Sequence, residues 1–406
     1  MNDRDVQDAF NAIEADNVTF LQRLLSKEAD LVKARDSSSF TLLHRASLKG
    51  SVKAVECLLS FSADPNAIDE DYKTPLFHAA NRGHQKVACL LIAKGSGVNA
   101  LNENGETPLF WAAGSGHFDV AQELIENGAS VRIRSYDGQT ALHAATAHGN
   151  REVVELLFAN RASPFVVDQD GHSVLHAAGL RGRSSAIDTI LSAGIPIDAV
   201  DDYGWTALHH AADWGHLDAT LFLLSRGADP DARDEDGLTP LHLAVMGDHP
   251  FIAHMLLEMG ASVDTKEGAG WTPLHYAISD ESVNMACLLL LHGPDLFACN
   301  SDGISALDFA QISFDRTLSE TLDLYLSSEV SYDDLAHQAF SKLSPKATAL
   351  LGYLHRIGSP HPLGRFSSLG TQQEYASTMR WLSEAIADDV DTIPWLKTLL
   401  SLSISC

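Results

Sequence analysis

The chain has 406 residues, with 54 Asp and Glu against 28 Lys and Arg and a formal net charge of −26. An acid excess of that size argues against nucleic acid and anionic membrane as partners, because binding either needs clustered Lys and Arg. No apolar run reaches the roughly 18–20 residues of a membrane-spanning helix. The polar, acidic start Met1-Asn2-Asp3-Arg4-Asp5 resembles neither a secretory signal nor an Arg-rich transit peptide.

Five cysteines are an odd number for a disulfide framework. Cys57, Cys89 and Cys287 sit beside Leu58, Leu90 and Leu288, where a thiol behaves as a small core residue; Cys299 and Cys406 stand alone. No Cys-x-x-Cys or Cys/His ligand spacing occurs, so the reading is reduced thiols, a cytoplasmic or nuclear protein, no metal and no cofactor.

In chain order, residues 5–34 place Val6, Ala9, Phe10 and Ile13, then Phe20, Leu21, Leu24 and Leu25, at the spacing of two short amphipathic helices. Asp8 stands where later segments carry Thr, and residues 1–35 read as a degenerate N-terminal capping unit. From there a phrase returns every 33 residues. It is anchored on Thr41, Thr74, Thr107, Thr140, Ser173, Thr206, Thr239, Thr272 and Ser305, and its fullest form is Asp236-Gly237-Leu238-Thr239-Pro240-Leu241-His242-Leu243-Ala244. A strict period without insertion is the mark of stacked repeats. Each unit opens on an Asp/Asn-x-x-Gly turn, and Thr then caps a helix that Pro often begins. A Gly followed by a polar residue ends that helix, and a second helix carries an apolar run such as Val153-Val154-Glu155-Leu156-Leu157.

The period and the Thr-Pro-Leu-His phrase resemble the ankyrin repeat. That resemblance implies an all-α solenoid of helix-turn-helix units with β-turn or hairpin tips, followed by a C-terminal helical segment. Eight repeats fall at 36–299 and a terminal repeat at 300–326, where Asp308 replaces the histidine. Residues 327–406 carry no motif that points to a family; helical spacing at 332–343, 345–357, 372–387 and 393–402 predicts a helical cap or small domain. His143, His176, His209, His242 and His275 recur at 33-residue intervals, and the resemblance implies bonds to loop backbone and neighbouring units rather than a metal site.

The resemblance also implies a concave face of turn tips and first helices. At about 100° per residue, positions two, five and six after Thr form the apolar side, while positions four, seven and eight point away from it. With the residue before Thr, these would line the open groove. Early units give a mixed surface, including Arg45, Lys49, Lys73, His78, Arg82 and Trp111. Later units change character: Tyr203, Trp205, His210, Asp213 and Trp214, then Leu238, Leu243 and Met246, then Trp271, Tyr276 and Asp280, with Ile304 and Phe309 after them. Exposed large aromatics are enriched in binding hot spots. The competing reading is that Trp205 and Trp271 pack flat on the next turn.

The predicted function is non-covalent recognition of a protein or peptide, by a chain expected to be monomeric. Subtracting the near-neutral tail leaves the array with about −24, so a basic partner surface is expected, although excess acid also serves solubility. Two further readings come from other classes. His210 and Asp213, three apart on one helix, would make an acid–base pair in an aromatic pocket closed by the C-terminal segment. Trp271, Tyr276 and Phe309 beside Asp280 would make an aromatic cage for methylated lysine. Against an enzyme, no nucleophile elbow, phosphate loop, dinucleotide fingerprint or metal-ligand set is present.

Overall fold

A computed structural model describes residues 2–312 and 316–327; the helices expected beyond residue 327, and Cys406, lie outside them. The described chain is helical throughout, with isolated bridges at Arg35–Thr41 and Cys299–Ser305. It divides into two compact units: residues 1–178 with 185–195, and residues 179–184 with the chain from 196 onward.

The first unit begins with helices Asp3–Glu14 and Val18–Lys27, capped by the Asn2 and Asn17 side chains. Helix pairs at the expected period follow, among them Leu42–Lys49 with Val52–Ser60 and Pro75–Arg82 with Gln85–Ala93. In the second unit the pairs are Ala207–Asp213 with Leu217–Ser225, Pro240–Met246 with Pro250–Glu258, and Pro273–Ser279 with Val283–Leu290. Helices of seven to nine residues are shorter than the about 12–15 that water sustains in isolation. Stacking supplies the missing stability. Leu208, Ala211, Ala219 and Leu223 are buried in one repeat, and Leu241, Ala244, Ala253 and Leu256 in the next.

Within each unit two kinds of hydrogen-bonded staple join neighbouring repeats, the first only where the repeat carries the histidine. In the first, a buried histidine binds its own cap and the following turn. The His242 Nδ1 atom accepts from the Thr239 N–H at 3.2 Å, which leaves the proton on Nε2 to donate to the Trp271 carbonyl at 3.2 Å. His44, His143, His209 and His275 do the same toward the carbonyls of Lys73, His172, Leu238 and Ile304. The implied backbone role of these histidines is thus the one they play here. In the second staple the residue after the positive-φ position that follows the first helix (Gly83, Gly215 or Asp248) reaches back one repeat. His84, His216 and His249 donate through Nε2 to the carbonyls of Leu48, Leu180 and Asp213. Gly215 has φ +73°, and a Cβ there would meet the His249 ring at 2.7 Å, so glycine is required both by the turn and by the staple.

Burial keeps these rings neutral. It depresses His44 and His242 to about 4, and lowers His143, His209 and His275 as well. An unfolded histidine takes its proton near 6.5. Folding therefore excludes a proton between about 6.5 and 4, and the staple's contribution is whole above that window and lost as pH falls through it. The Tm advantage of wild type over His242→Gln is expected to shrink steadily as pH falls from 6.5 towards 4, the effect of the general acid excess being common to both chains. Melting curves across that range check this; a pH-independent difference would refute it.

Candidate binding face of the second unit

The turn that opens each repeat fixes what its first helix can present. One oxygen of the turn acid always faces inward: Asp201 Oδ1 accepts from the Tyr203 and Trp205 N–H groups, both at 2.9 Å, and Asp234 Oδ1 accepts from Asp236 and Leu238. In Asp201 and Asp234 the other oxygen is committed to a side chain, whereas Glu267 gives both oxygens to turn N–H groups, of Ala269 and Trp271. Asp201 Oδ2 binds His210 Nε2 at 2.7 Å, and Asp234 Oδ2 accepts the Trp205 indole N–H at 2.9 Å. The first unit uses the same device, with Asp36 Oδ2 on Arg45 at 2.5 Å and Asp69 Oδ2 on His78 at 2.8 Å. Burial pushes Asp69 up, yet the bonds from His78 and the Lys73 N–H outweigh it and leave its carboxyl below the usual range.

These links sort the expected groove residues into three groups. Tyr203, Trp214 and Met246 are exposed, at 58, 60 and 45%, and Asp280 is exposed with them. Trp205, Asp213, Leu238, Trp271 and Tyr276 are half-buried. His210 and Leu243 are buried, at 6 and 3%, contrary to the helical-wheel expectation. The reason is the stack: the position four after Thr lies beside its own turn and the next first helix, which a wheel drawn for a lone helix does not include.

Trp205 packs as the competing reading anticipated. Besides its bond to the Asp234 turn, its ring lies 5.0 Å from His210 and 6.1 Å from His209. Trp271 is enclosed likewise, 5.1 Å from Tyr276 and 5.1 Å from Phe309. At those separations the rings touch one another, and a methylammonium would have to displace ring-on-ring contact rather than enter a space between walls. The acid–base pairing is not built either, because His210 Nε2 is bonded to Asp201 rather than Asp213. Burial raises the Asp213 carboxyl, with His210 and His249 acting in the opposite direction.

The exposed group is concentrated in the last turns of consecutive first helices. Trp214 caps Ala207–Asp213, Met246 ends Pro240–Met246 and Asp280 caps Pro273–Ser279. Adjacent members of this series pack directly. Met246 and Asp280 line a pocket of about 600 Å³, together with Val245, Asp248, Glu281 and Ser282. Asp248 and Glu281 escape a reading confined to first-helix positions, since they stand one residue past the helix caps. Their signal is positional: both carry positive φ (50° and 53°) where other repeats have glycine.

Comparison with known proteins agrees with the repeat geometry. The family model for ankyrin repeats (3 copies) matches residues 9–102, 76–166, 151–234 and 228–300. A serine/threonine-protein kinase, VIK, of Arabidopsis thaliana is 48% identical over 56 residues, which is 14% of this chain and 13% of the kinase. Ankyrin repeat domain-containing protein 49 of Bos taurus is 40% identical over 57 residues, 14% of this chain and 24% of that protein. The chain thus spans less than a quarter of the length of these relatives, and the likeness is confined to a short stretch. Among the described residues no helix is long and apolar enough to cross a membrane.

The two kinds of tryptophan are separable by substitution. Trp271→Ala is expected to lower stability by about 2 kcal/mol or more through lost ring packing. Trp214→Ala should change it by less than about 0.5 kcal/mol. Thermal melts of both variants check the assignment; equal losses would contradict it.

Proposed function

The chain belongs to the ankyrin-repeat family, whose repeats generally mediate protein–protein interaction, and on that footing we propose that it binds a partner protein through the open face of its second unit. The observation that carries this reading is the exposed series Trp214, Met246 and Asp280 beside an acidic pocket. An indole and a thioether left in water at consecutive repeats are costly unless a partner covers them. Trp214 and Met246 supply apolar anchors, and Tyr203 supplies a further aromatic at the turn tip.

Charge selects the partner. Residues 196–300 hold seventeen Asp and Glu against Arg226, Arg233 and Lys266. Two of those cations are tied to backbone, Arg233 to the Lys266 carbonyl and Lys266 to the Cys299 carbonyl at 2.8 Å. A segment with Lys or Arg next to an apolar side chain is therefore the complementary ligand, steered by the acidic field and held by the aromatic anchor. No observation favours catalysis, and ankyrin-repeat proteins are typically non-enzymatic scaffolds.

Affinity capture from source-cell lysate, wild type beside Trp214→Ala, tests this. A protein retained by the wild type and lost from the variant is expected, with affinity weakened by about 2 kcal/mol, roughly 30-fold. The same complex should weaken as salt rises. Unchanged capture by the variant would remove Trp214 from the interface, and a captured small molecule without a protein would overturn the scaffold reading.

A further inference from the structure

The second helices of two consecutive repeats in the second unit hold a group of side chains that neither staple uses. His254 and Glu258 stand one turn apart on helix Pro250–Glu258, a spacing that puts both on one face. Helix Val283–Leu290 packs against it, and His292 follows its C-terminal cap. The rings of His254 and His292 lie 5.7 Å apart, and His292 Nε2 is 4.0 Å from Glu258 Oε1. One ligand atom from each residue falls within 4.8 Å of the other two. The site is largely closed to solvent: His254 is 3% exposed, the side chains of His292 and Glu258 are 14 and 12% exposed, and His254 Nδ1 and His292 Nε2 are shut off from water.

We propose that His254, Glu258 and His292 form a binding site for a divalent transition-metal ion, of the chemistry of Zn²⁺. Two imidazoles and a carboxylate are the donor set such ions favour over Mg²⁺ or Ca²⁺, which take all-oxygen cages. Metal–ligand distances of about 2.0–2.2 Å place tetrahedral ligand atoms roughly 3.4 Å apart, so modest side-chain rotation closes the group around an ion. Three protein ligands leave a fourth position for water or a partner's side chain. Another such cluster, His44, Asp69 and His78, lies in the first unit, where the His44 nitrogens bond to Thr41 and to the Lys73 carbonyl. Sequence spacing hides the site, because His292 lies 34 residues beyond Glu258 in the next repeat. The bound ion would cross-link neighbouring second helices on the side of the stack away from the proposed partner face, and its charge would be welcome among the carboxylates.

The test uses the full chain stripped with EDTA and then titrated with Zn²⁺ by calorimetry, and with Co²⁺ by visible absorption. One ion per chain is expected, with a rise in Tm as native-state binding requires. The Co²⁺ spectrum should show nitrogen and oxygen ligation without thiolate charge transfer. Binding should vanish in the Glu258→Gln/His292→Gln double variant, persist in His78→Gln, and weaken as pH falls and the imidazoles protonate. Absence of stoichiometric binding at micromolar metal overturns the proposal, as does binding that survives the double variant. Should the double variant fail to fold, X-ray absorption of the wild-type Zn²⁺ complex decides: two imidazoles and a carboxylate support the site, and a sulfur-containing shell refutes it.

Discussion

The hydrogen bond from a buried histidine to the next turn's carbonyl is the interaction on which the stack depends. One ring completes the cap of its own helix and orders the turn that positions the next. It can do so only as a neutral tautomer, with Nδ1 accepting from the cap and Nε2 donating onward. Burial secures that state by making the charged ring costly. Where the chain departs from the pattern, the effect is local. Phe77 stands in the histidine's place after Thr74, and the Thr74 hydroxyl is buried without a hydrogen-bond partner. In the last repeat Asp308 substitutes for the ring and takes over the cap, its carboxylate accepting the Ser305 hydroxyl at 2.6 Å and the Ser305 N–H at 3.0 Å. Asp308 cannot donate onward, which suits a unit that closes the 33-residue pattern.

The turn acids translate this fixed frame into a variable surface. Asp36, Asp201 and Asp234 keep one oxygen for the turn and give the other to the donor the neighbouring positions offer: arginine, histidine or indole. A donor held in this way is withdrawn from recognition. That is why Trp205 and His210, attractive as groove residues on composition, serve the scaffold. In the first unit Trp111 is withdrawn by the same logic, with its indole N–H on Glu106 at 2.9 Å and Lys73 over its ring at 4.8 Å. Trp214 has no such role, because it lies past the reach of the turn acid and caps its helix into solvent.

This division explains what could be read from sequence. The period, the Thr cap and the histidine are local and repeated, so the helix pairs were legible from spacing; the first staple was implied only by the family resemblance, and the second, which runs back between repeats, was not legible. The positions seven and eight after Thr were legible too, since Trp214, Met246 and Asp280 leave the helix on its open side at the last turn. The position four after Thr was not. Its exposure depends on the neighbouring first helix and on a turn acid nine residues earlier, as in Asp201 with His210, and neither enters a single-helix projection. The cluster of His254, Glu258 and His292 was invisible for a related reason: its members come from two repeats, and contact between repeats is a property of the stack.

The placement of two acids on the second unit supports the proposed recognition role over solubility alone. Helix C-termini carry the negative end of the backbone dipole, so cations are favoured there and carboxylates disfavoured. Asp213 nevertheless ends helix Ala207–Asp213, and Asp280 caps helix Pro273–Ser279. The last turns of both lack a compensating Lys or Arg. Burial makes Asp213 harder still to ionise. Acids chosen for solubility alone would sit at helix N-termini or on exposed second-helix faces, where they cost nothing. Local rules broken in two repeats that flank Met246, one of them next to the exposed indole of Trp214, support the recognition surface proposed for this face.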